Sequence, residues 1–510
     1  LAKKQLLRSR FSYTDDDLRK LKDDCLSQSD ERIRKYNEYY DLIFNNTSKN
    51  TLYKHIKDII TLIYLPDNII FDAVIDKEEK DTRAEERKLT DALKKRLAEK
   101  FISEGYDIEF YSWLFWSAVY GSYFLKCIID GEKVYFKSVA PHDINVLYED
   151  VNEIDKYQVI LHTVRIPLRL ARMKYPDAEI TEVSAPQRST DRFFEIVYTQ
   201  NRAVPVKDEE KGFRDYVPQA KMVGGYAEIH EMWIWDDAVD DYIMVQFVGD
   251  RIYKYPNPFI PKQHPFIKIC FNEIDGYFWG LSELHFLVNL YKKSNQQIDI
   301  LDYLQDMLLN PPVIVYGLSG SIEVQEMQNK ILKPGNVFEI VDPTAKFDFY
   351  LPKLDPAFAL KMLEHYDNQF KEQSGIMGVL AGRPMPNVRS ASYANILAQF
   401  ASTQLKEKAL KVEYILETFM TLWASVYTYV KKDYGMLINT PFRMDVFAHT
   451  SSPITALSYQ DMLLTLAEIG IIPMEVLVDL LPLPKKDEIK KQLQLKALMG
   501  AVAEDEVKKK

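Results

Sequence analysis

Residues 282–312 read SELHFLVNLYKKSNQQIDILDYLQDMLLNPP, and this stretch decides the architecture. Ser282 is placed to cap a helix, because its hydroxyl can accept a bond from an amide that the first turn leaves unpaired. Asn310 is followed by Pro311-Pro312, which cannot continue a helix. The rod between them spans roughly 40 Å at about 1.5 Å per residue, which is long for a helix buried in one compact core. Leu284, Leu287, Tyr291, Ile298, Leu301 and Leu308 form a seam close to heptad spacing, interrupted by Ser294 and Gln305. A stripe of that kind needs a neighbouring helix.

The neighbour is the stretch from Asp355 to Gln373, which opens with Asp355 as N-cap and Pro356 at the first helical position, then presents Ala359, Leu363, Tyr366 and Phe370 on one face. Between the two helices, Val313 to Tyr316, Val337 to Val341 and Lys346 to Leu351 read as short strands, and Ser321 to Ile331 as a small helix. The result is a small α/β insertion at the end of a helical hairpin. Gly375 to Arg389 follows, where Gly375, Gly378, Gly382, Pro384 and Pro386 prevent a continuous helix and leave an ordered, movable loop. Ser390 opens a very long helical pattern through Leu397, Phe400, Leu405, Leu410, Val412, Ile415, Phe419, Trp423 and Tyr427, ending near Gly435. A short β-like stretch comes next, then helices at Tyr459 to Ile469 and Met474 to Leu480, and a charged helix or tail from Lys485 to Lys510.

The first half differs. Asp15 to Tyr64 has helical spacing, with Thr14 or Asp15 as N-cap and Leu18, Leu21, Ile33, Tyr36 and Tyr40 as apolar positions. Lys77 to Ile102 is a charged helix with Leu89, Leu93, Leu97 and Phe101 on one face, and its Lys/Glu run reads as a solvated surface. Tyr111 to Gly121 is aromatic and enters the core. Tyr123 to Ile129 and Lys133 to Val139 flank Asp130-Gly131, a hairpin-turn dipeptide. Further strands are expected at Tyr157 to Val164, Phe193 to Tyr198, Ala227 to Trp235, Tyr242 to Val248 and Arg251 to Tyr255. The fold class is α+β.

Composition narrows the function classes. With 47% hydrophobic residues in 510 the chain can bury substantial cores. Cys25, Cys127 and Cys270 are too scattered for a CxxC pair and too few to staple the chain, which fits synthesis in a reducing cytoplasm. Glu468, Glu475 and Asp479 interrupt the richest apolar stretch, Leu463 to Leu483, so a soluble chain without a membrane partner is expected. Leu1-Ala2-Lys3-Lys4-Gln5 lacks the apolar core of a secretory signal, and the missing methionine points to processing or an omitted start. A net charge of −10 argues against gripping nucleic acid over the whole surface, but not against a surface that DNA merely passes.

Catalytic signatures are sparse. Gly317-Leu318-Ser319-Gly320-Ser321 lacks the lysine of a phosphate loop, the histidines form no HExxH, and His264 and His285 lack zinc-ligand spacing. Asp236, Asp237, Asp240 and Asp241 could gather a hard cation, yet they sit between two strand patterns where aspartates make turns, and the turn is the favoured reading. No cofactor and no enzymatic activity are expected. Lys292, Lys293, Arg383 and Arg389 are the basic residues suited to phosphate contacts, with pairing to acidic neighbours in another subunit as the equal alternative.

The order of these parts resembles the portal proteins, or head-to-tail connectors, of tailed double-stranded DNA bacteriophages. Tyr120-Gly121-Ser122-Tyr123 and Val139-Ala140-Pro141-His142-Asp143 are similar to the family's early β region. His264-Pro265-Phe266, Gly280-Leu281-Ser282 and Asn310-Pro311-Pro312 resemble its entry into a helical stem, and Ser374-Gly375-Ile376, Gly382 and Arg389-Ser390-Ala391 its tunnel-loop junction. The resemblance covers about Asn50 to Leu483 and contains no single diagnostic signature. It implies a wing over residues 1–281 that resumes at 390–452, a stem at 282–310 and 355–374, a clip at 311–354, a tunnel loop at 375–389 and a short helical crown with a charged tail at 453–510.

It further implies a ring, typically of twelve copies, at one capsid vertex of the virion, through which DNA is packaged and ejected. Stem packing would fall to Leu284, Leu287, Tyr291, Ile298, Leu301, Leu308, Leu363, Tyr366 and Phe370. The tunnel loop would bring Gly375, Ile376, Met377, Gly378, Val379, Leu380, Gly382, Arg383, Pro384, Met385, Pro386, Asn387 and Arg389 to the channel, touching DNA weakly and without reading sequence. Ser319, Ser321, Glu323, Gln325, Glu326, Gln328 and Lys330 would form the clip surface for the terminase motor and then tail adaptor proteins. Major capsid and scaffolding proteins are the other implied partners. Two other classes remain open from the residues: a metal-dependent nuclease, and a capsid scaffold or adaptor without a channel.

Overall fold

The structure is a computed structural model that describes residues 12–66 (apart from 28 and 45–50), 69, 71–75, 84–183 (apart from 151–153 and 155–157), 225–309, 313–316, 346–349, 356–373, 391–438, 442–446, 463–469, 473 and 476–478. It divides into two compact units. Unit 1 is Leu1–Leu284 with Ser402–Lys510, and unit 2 is His285–Ala401.

Helix comes first in unit 1, as α1 (Asp15–Ser27), α2 (Asp30–Phe44) and α3 (Thr51–Ile63). The start of α1 shows why it begins where it does. Asp17 N–H donates to Thr14 Oγ1 at 3.2 Å, and Thr14 N–H donates back to Asp17 Oδ2 at 3.0 Å. This reciprocal pair satisfies two amides and selects Thr14 over Asp15 as the cap. Leu18 and Cys25 of α1 then pack on the five-stranded antiparallel sheet β4-β5-β6-β7-β8, against Val159, Leu161, Met232, Ile234, Ile243, Val245 and Phe247. Its strands are β4 (Ile144–Val146), β5 (Val159–Pro167), β6 (Tyr226–Asp236), β7 (Asp241–Val248) and β8 (Arg251–Pro256). A short helix, α6 (Leu168–Lys174), follows β5 directly.

The rest of unit 1 surrounds an aromatic core. After β1 (Phe71–Ile75) come α4 (Ala84–Ser103) and α5 (Tyr106–Tyr120), then the hairpin β2 (Tyr123–Asp130) and β3 (Lys133–Val139). The turn lies one position later than Asp130-Gly131 suggested: Asp130 pairs with Lys133, and Gly131, at φ 61°, takes the first of the two loop positions. With β9 (Phe266–Ile269) the hairpin completes a three-stranded sheet, β3-β2-β9. The long helix α9 (Ala391–Val430) belongs to unit 1 from Ser402 onward and drives Phe419 into this core. The Phe419 ring lies 4.3 Å from Phe136, 5.1 Å from Phe110 and 5.7 Å from Tyr106, centre to centre. β12 (Phe442–Val446) then pairs with β1, so segments hundreds of positions apart close the unit.

One buried ion pair joins the two larger sheets. Lys126 of β2 reaches Glu231 of β6 at 2.5 Å, and Trp233 Nε1–H donates to the same carboxylate oxygen at 2.6 Å. Burial alone would raise the Glu231 pKa, but Lys126, His162 and these hydrogen bonds outweigh it and hold the carboxyl below its usual range.

Unit 2 holds the helical pair. α7 (Glu283–Leu309) is followed by the antiparallel strands β10 (Val313–Tyr316) and β11 (Lys346–Phe349) and by α8 (Pro356–Gln373). The two helices approach where Ser294 Oγ donates to Asp367 Oδ1 at 3.5 Å and the Lys293 ammonium lies 5.9 Å from the Tyr366 ring centre. Ser294, which interrupts the apolar seam, therefore faces a polar partner on α8. Along α7 the buried apolar positions among the described residues are Leu284, Leu287, Val288, Tyr291 and Leu304. The heptad seam omits Leu304, one turn beyond Leu301, because the 3.6-residue turn drifts against a seven-residue repeat over a helix this long. Ile298 and Leu301 are half-buried, as are Leu363, Tyr366 and Phe370 on α8.

The expected strands at 193–198 and 337–341, the small helix at 321–331, the cap Asp355, the loop 375–389 and the tail 485–510 lie outside the described residues. Residues 463–468 and 476–478 are helical, within the two terminal helices expected from the sequence.

Candidate functional site

The long helix α7 leaves unit 1 through a dense junction, and three stretches quoted above for their resemblance meet there. Ser282 is its cap. Leu284 N–H donates to Ser282 Oγ at 3.0 Å, and the same hydroxyl donates to the Val119 carbonyl at 2.5 Å, tying the head of α7 to the tail of α5. Gly121 ends α5 with φ 86°, its N–H donating to Ser117 O at 2.7 Å. A side chain at Gly121 would place its Cβ 2.7 Å from the Gly280 carbonyl carbon and 2.8 Å from Ser282 N. Two backbones thus touch where only hydrogen atoms fit between them. Gly280 N–H donates to Ser122 Oγ at 2.8 Å, and Leu281 N–H to Asn272 O at 2.8 Å.

Charge fixes the junction to α9. Glu283, at the first helical position of α7, is buried and lies 2.7 Å from Lys408 Nζ, with Asn272 Nδ2 donating to the same oxygen at 2.8 Å. One turn on, Lys411 reaches Glu273 at 2.5 Å. A carboxylate in the first turn also opposes the positive end of the helix dipole. His55 of α3 is buried beside this pair, and burial first, then Lys408 against the opposing pull of Glu283, pushes its pKa down to about 4.

His55 stays neutral in the folded chain down to about pH 4, whereas the ordinary value is 6.5, so the unfolded chain binds more protons between those values. Stability is intact above pH 6.5 and falls as the pH drops toward 4, by about 3 kcal/mol. His55→Gln should abolish this component: urea titrations at pH 7 and pH 4 should show the wild type losing that much more than the variant. Equal losses would remove His55 from the acid response.

Arg32 braces the other side. Its guanidinium lies 3.7 Å from the Trp279 ring centre and donates to Pro141 O at 2.7 Å, Ile144 O at 3.2 Å and Asn145 Oδ1 at 2.5 Å. Trp279 Nε1–H in turn donates to Glu149 Oε1 at 2.5 Å. A planar fork that stacks and donates at once is a role for arginine that lysine cannot fill. Sequence reading missed Arg32, Glu149 and Lys408, because each partner lies about a hundred or more positions away and no local pattern marks them.

Other expected sites fare differently. Leu284 belongs to unit 1 and is buried at the junction. Lys292 and Lys293 are exposed on α7, Lys293 beside Tyr366. The side chain of Leu308, the loop positions from Gly375 to Arg389 and the clip surface from Ser319 to Lys330 lie outside the described residues. The aspartate cluster is a hairpin turn: Asp236 Oδ1 accepts from Ala238 N–H at 3.0 Å, Asp241 Oδ1 accepts from Lys262 N–H at 2.8 Å, and Asp240 takes φ 54° between them. Among the described residues no group of three or more His, Cys, Asp or Glu side chains is placed to hold a metal. The cysteines are buried, and burial pushes the thiols up, to about 12 at Cys25 and about 11 at Cys270. Among the described residues no helix is long and apolar enough to cross a membrane.

No known protein family and no curated protein matches the sequence. Among solved structures, one chain of the virion of a native gene transfer agent particle is similar over 88% of this chain and 93% of its own length, with 10% identity and a TM-score of 0.43. That similarity is too low to carry either a fold or a role across.

Proposed function

We propose that this chain is the subunit of a portal ring, a non-enzymatic channel at one capsid vertex through which viral DNA is packaged and released. The observation that carries the reading is the apolar surface left open on the helical pair. On α7, Phe286, Ile300 and Tyr303 are exposed and lie within about 100° of one another around the axis. On α8, Phe358 is 63% exposed and Leu360 is 51% exposed. Large apolar groups clustered on soluble helices mark an interaction surface, and a repeated head-to-tail contact that closes on itself gives a ring.

In this reading unit 1 holds the wing and, at 453–510, the crown with its charged tail, unit 2 contributes the stem and clip, and residues 375–389 form the tunnel loop. The clip docks the terminase motor and later the tail adaptors. Packaging energy comes from the motor's ATP. The acidic balance of the chain, −10 overall, disfavours long-lived phosphate contacts along the path of the DNA, within the screening length of about 8 Å at physiological salt.

End-on electron micrographs of the purified chain, with native mass measurement, test the proposal. Rings of about a dozen copies around an axial hole are expected. A chain that stays monomeric at high micromolar concentration, or packs without a hole, overturns it.

A further inference from the structure

Away from the junction, unit 1 has an open cleft of about 650 Å³. It is lined by Tyr414, Glu417, Thr418 and Thr421 of α9 and by His264 and Phe266. The cations lining the cleft are already paired, Lys262 with Asp240 and Arg443 with Asp445. Glu417 has no cation within ion-pair distance among the described residues and accepts from Val446 N–H at 3.2 Å. Glu417 is also the inner end of a longer stripe. Glu407, Leu410, Tyr414 and Glu417 follow one another at helical spacing on the outer face of α9. Leu410 is 45% and Tyr414 is 60% exposed, and Glu407 is exposed without an ion pair among the described residues.

The opposite composition occurs at α6. That helix buries only Leu168 and Ala171, and exposes Arg169, Leu170, Arg172, Met173 and Lys174. Neither arginine has an ion-pair partner among the described residues. Leu170 is 54% and Met173 is 70% exposed, so an apolar row runs beside a guanidinium row, each with its members one turn apart. The two faces are thus opposite in charge, carboxylates at the two ends of the stripe against guanidinia one turn apart, and each carries two large apolar groups.

We propose that the α6 surface of one copy docks on the Glu407–Glu417 stripe of α9, at the mouth of the cleft, in a second copy of this chain. The two faces differ, so the contact is heterologous and can repeat around a ring. This contact lies in unit 1, separate from the apolar faces of α7 and α8, and it rests on the ring reading only in requiring that copies associate. Its polar component selects register and partner, and its apolar component contributes the desolvation.

Reversing charge tests it on the full chain. Arg169→Glu with Arg172→Glu should raise the dissociation constant between copies by about tenfold or more, read by sedimentation or mass photometry over a concentration series. Adding Glu407→Lys and Glu417→Lys to the same chain should restore association. These side chains are exposed or at a cleft mouth, and circular dichroism of each variant reports whether folding is intact. Rings that form equally well in the α6 variant, or reversal on both faces without rescue, overturn the contact and leave the ring reading standing. A wild-type chain that does not associate overturns both.

Discussion

Replacing Phe419 with alanine is expected to lower the unfolding free energy of the chain by about 3–5 kcal/mol, a large share of the 5–15 kcal/mol available to a typical domain. The side chain is fully buried, and its ring contacts those of Phe136, Phe110, Tyr106, Trp423, Trp113 and Phe101. These neighbours come from α4, α5, β3 and α9 itself, so no single element can move in to fill the void. Phe419→Leu keeps most of the volume and should cost distinctly less. Urea denaturation at one fixed protein concentration checks the pair, because association between copies would otherwise contribute to the apparent stability. Equal and small losses for both variants would mean that the aromatic cluster does not hold α9 in place.

A second large effect is expected at Gly121. Alanine there meets the backbone of Gly280 and Ser282 at distances that atoms do not tolerate, and at φ 86° it also occupies a conformation that side chains disfavour. The two terms together amount to about 3 kcal/mol or more. Gly131 separates them, because it too has positive φ, 61°, but has open space around its Cβ position. Gly131→Ala should therefore carry only the conformational term, about 1–2 kcal/mol. The difference measures the close approach of α5 and the head of α7. Amide hydrogen exchange at Leu284 and the residues after it should speed up in the Gly121 variant and stay unchanged in the Gly131 variant. Identical behaviour of the two variants would show that the backbone contact does not anchor the long helix.

Much of the element order was legible from local physics. The proline pair after Asn310 and the hydroxyl of Ser282 bounded α7 to within a residue, since chain termination and capping act over one turn. The alternation in β5 to β8 and the aspartates between β6 and β7 likewise report nearest-neighbour geometry. The start of α5 was missed by the same token: its first turn, at Tyr106, follows Gly105 in a left-handed conformation with no side-chain cap to announce it.

The amino-acid order by itself determined the bounds of α7 and the placing of β2, β3 and β5 to β8, because capping, turn chemistry and apolar alternation are contained within a few residues; α6, β1, β4 and β9 carry no such local signal. Only the tertiary structure decided that Gly121 touches Gly280, that Arg32 stacks on Trp279, and that Glu283 pairs with Lys408. Those contacts join residues separated by one to two hundred positions or more, and a pairing at that range depends on how sheets and helices pack, which no local pattern encodes.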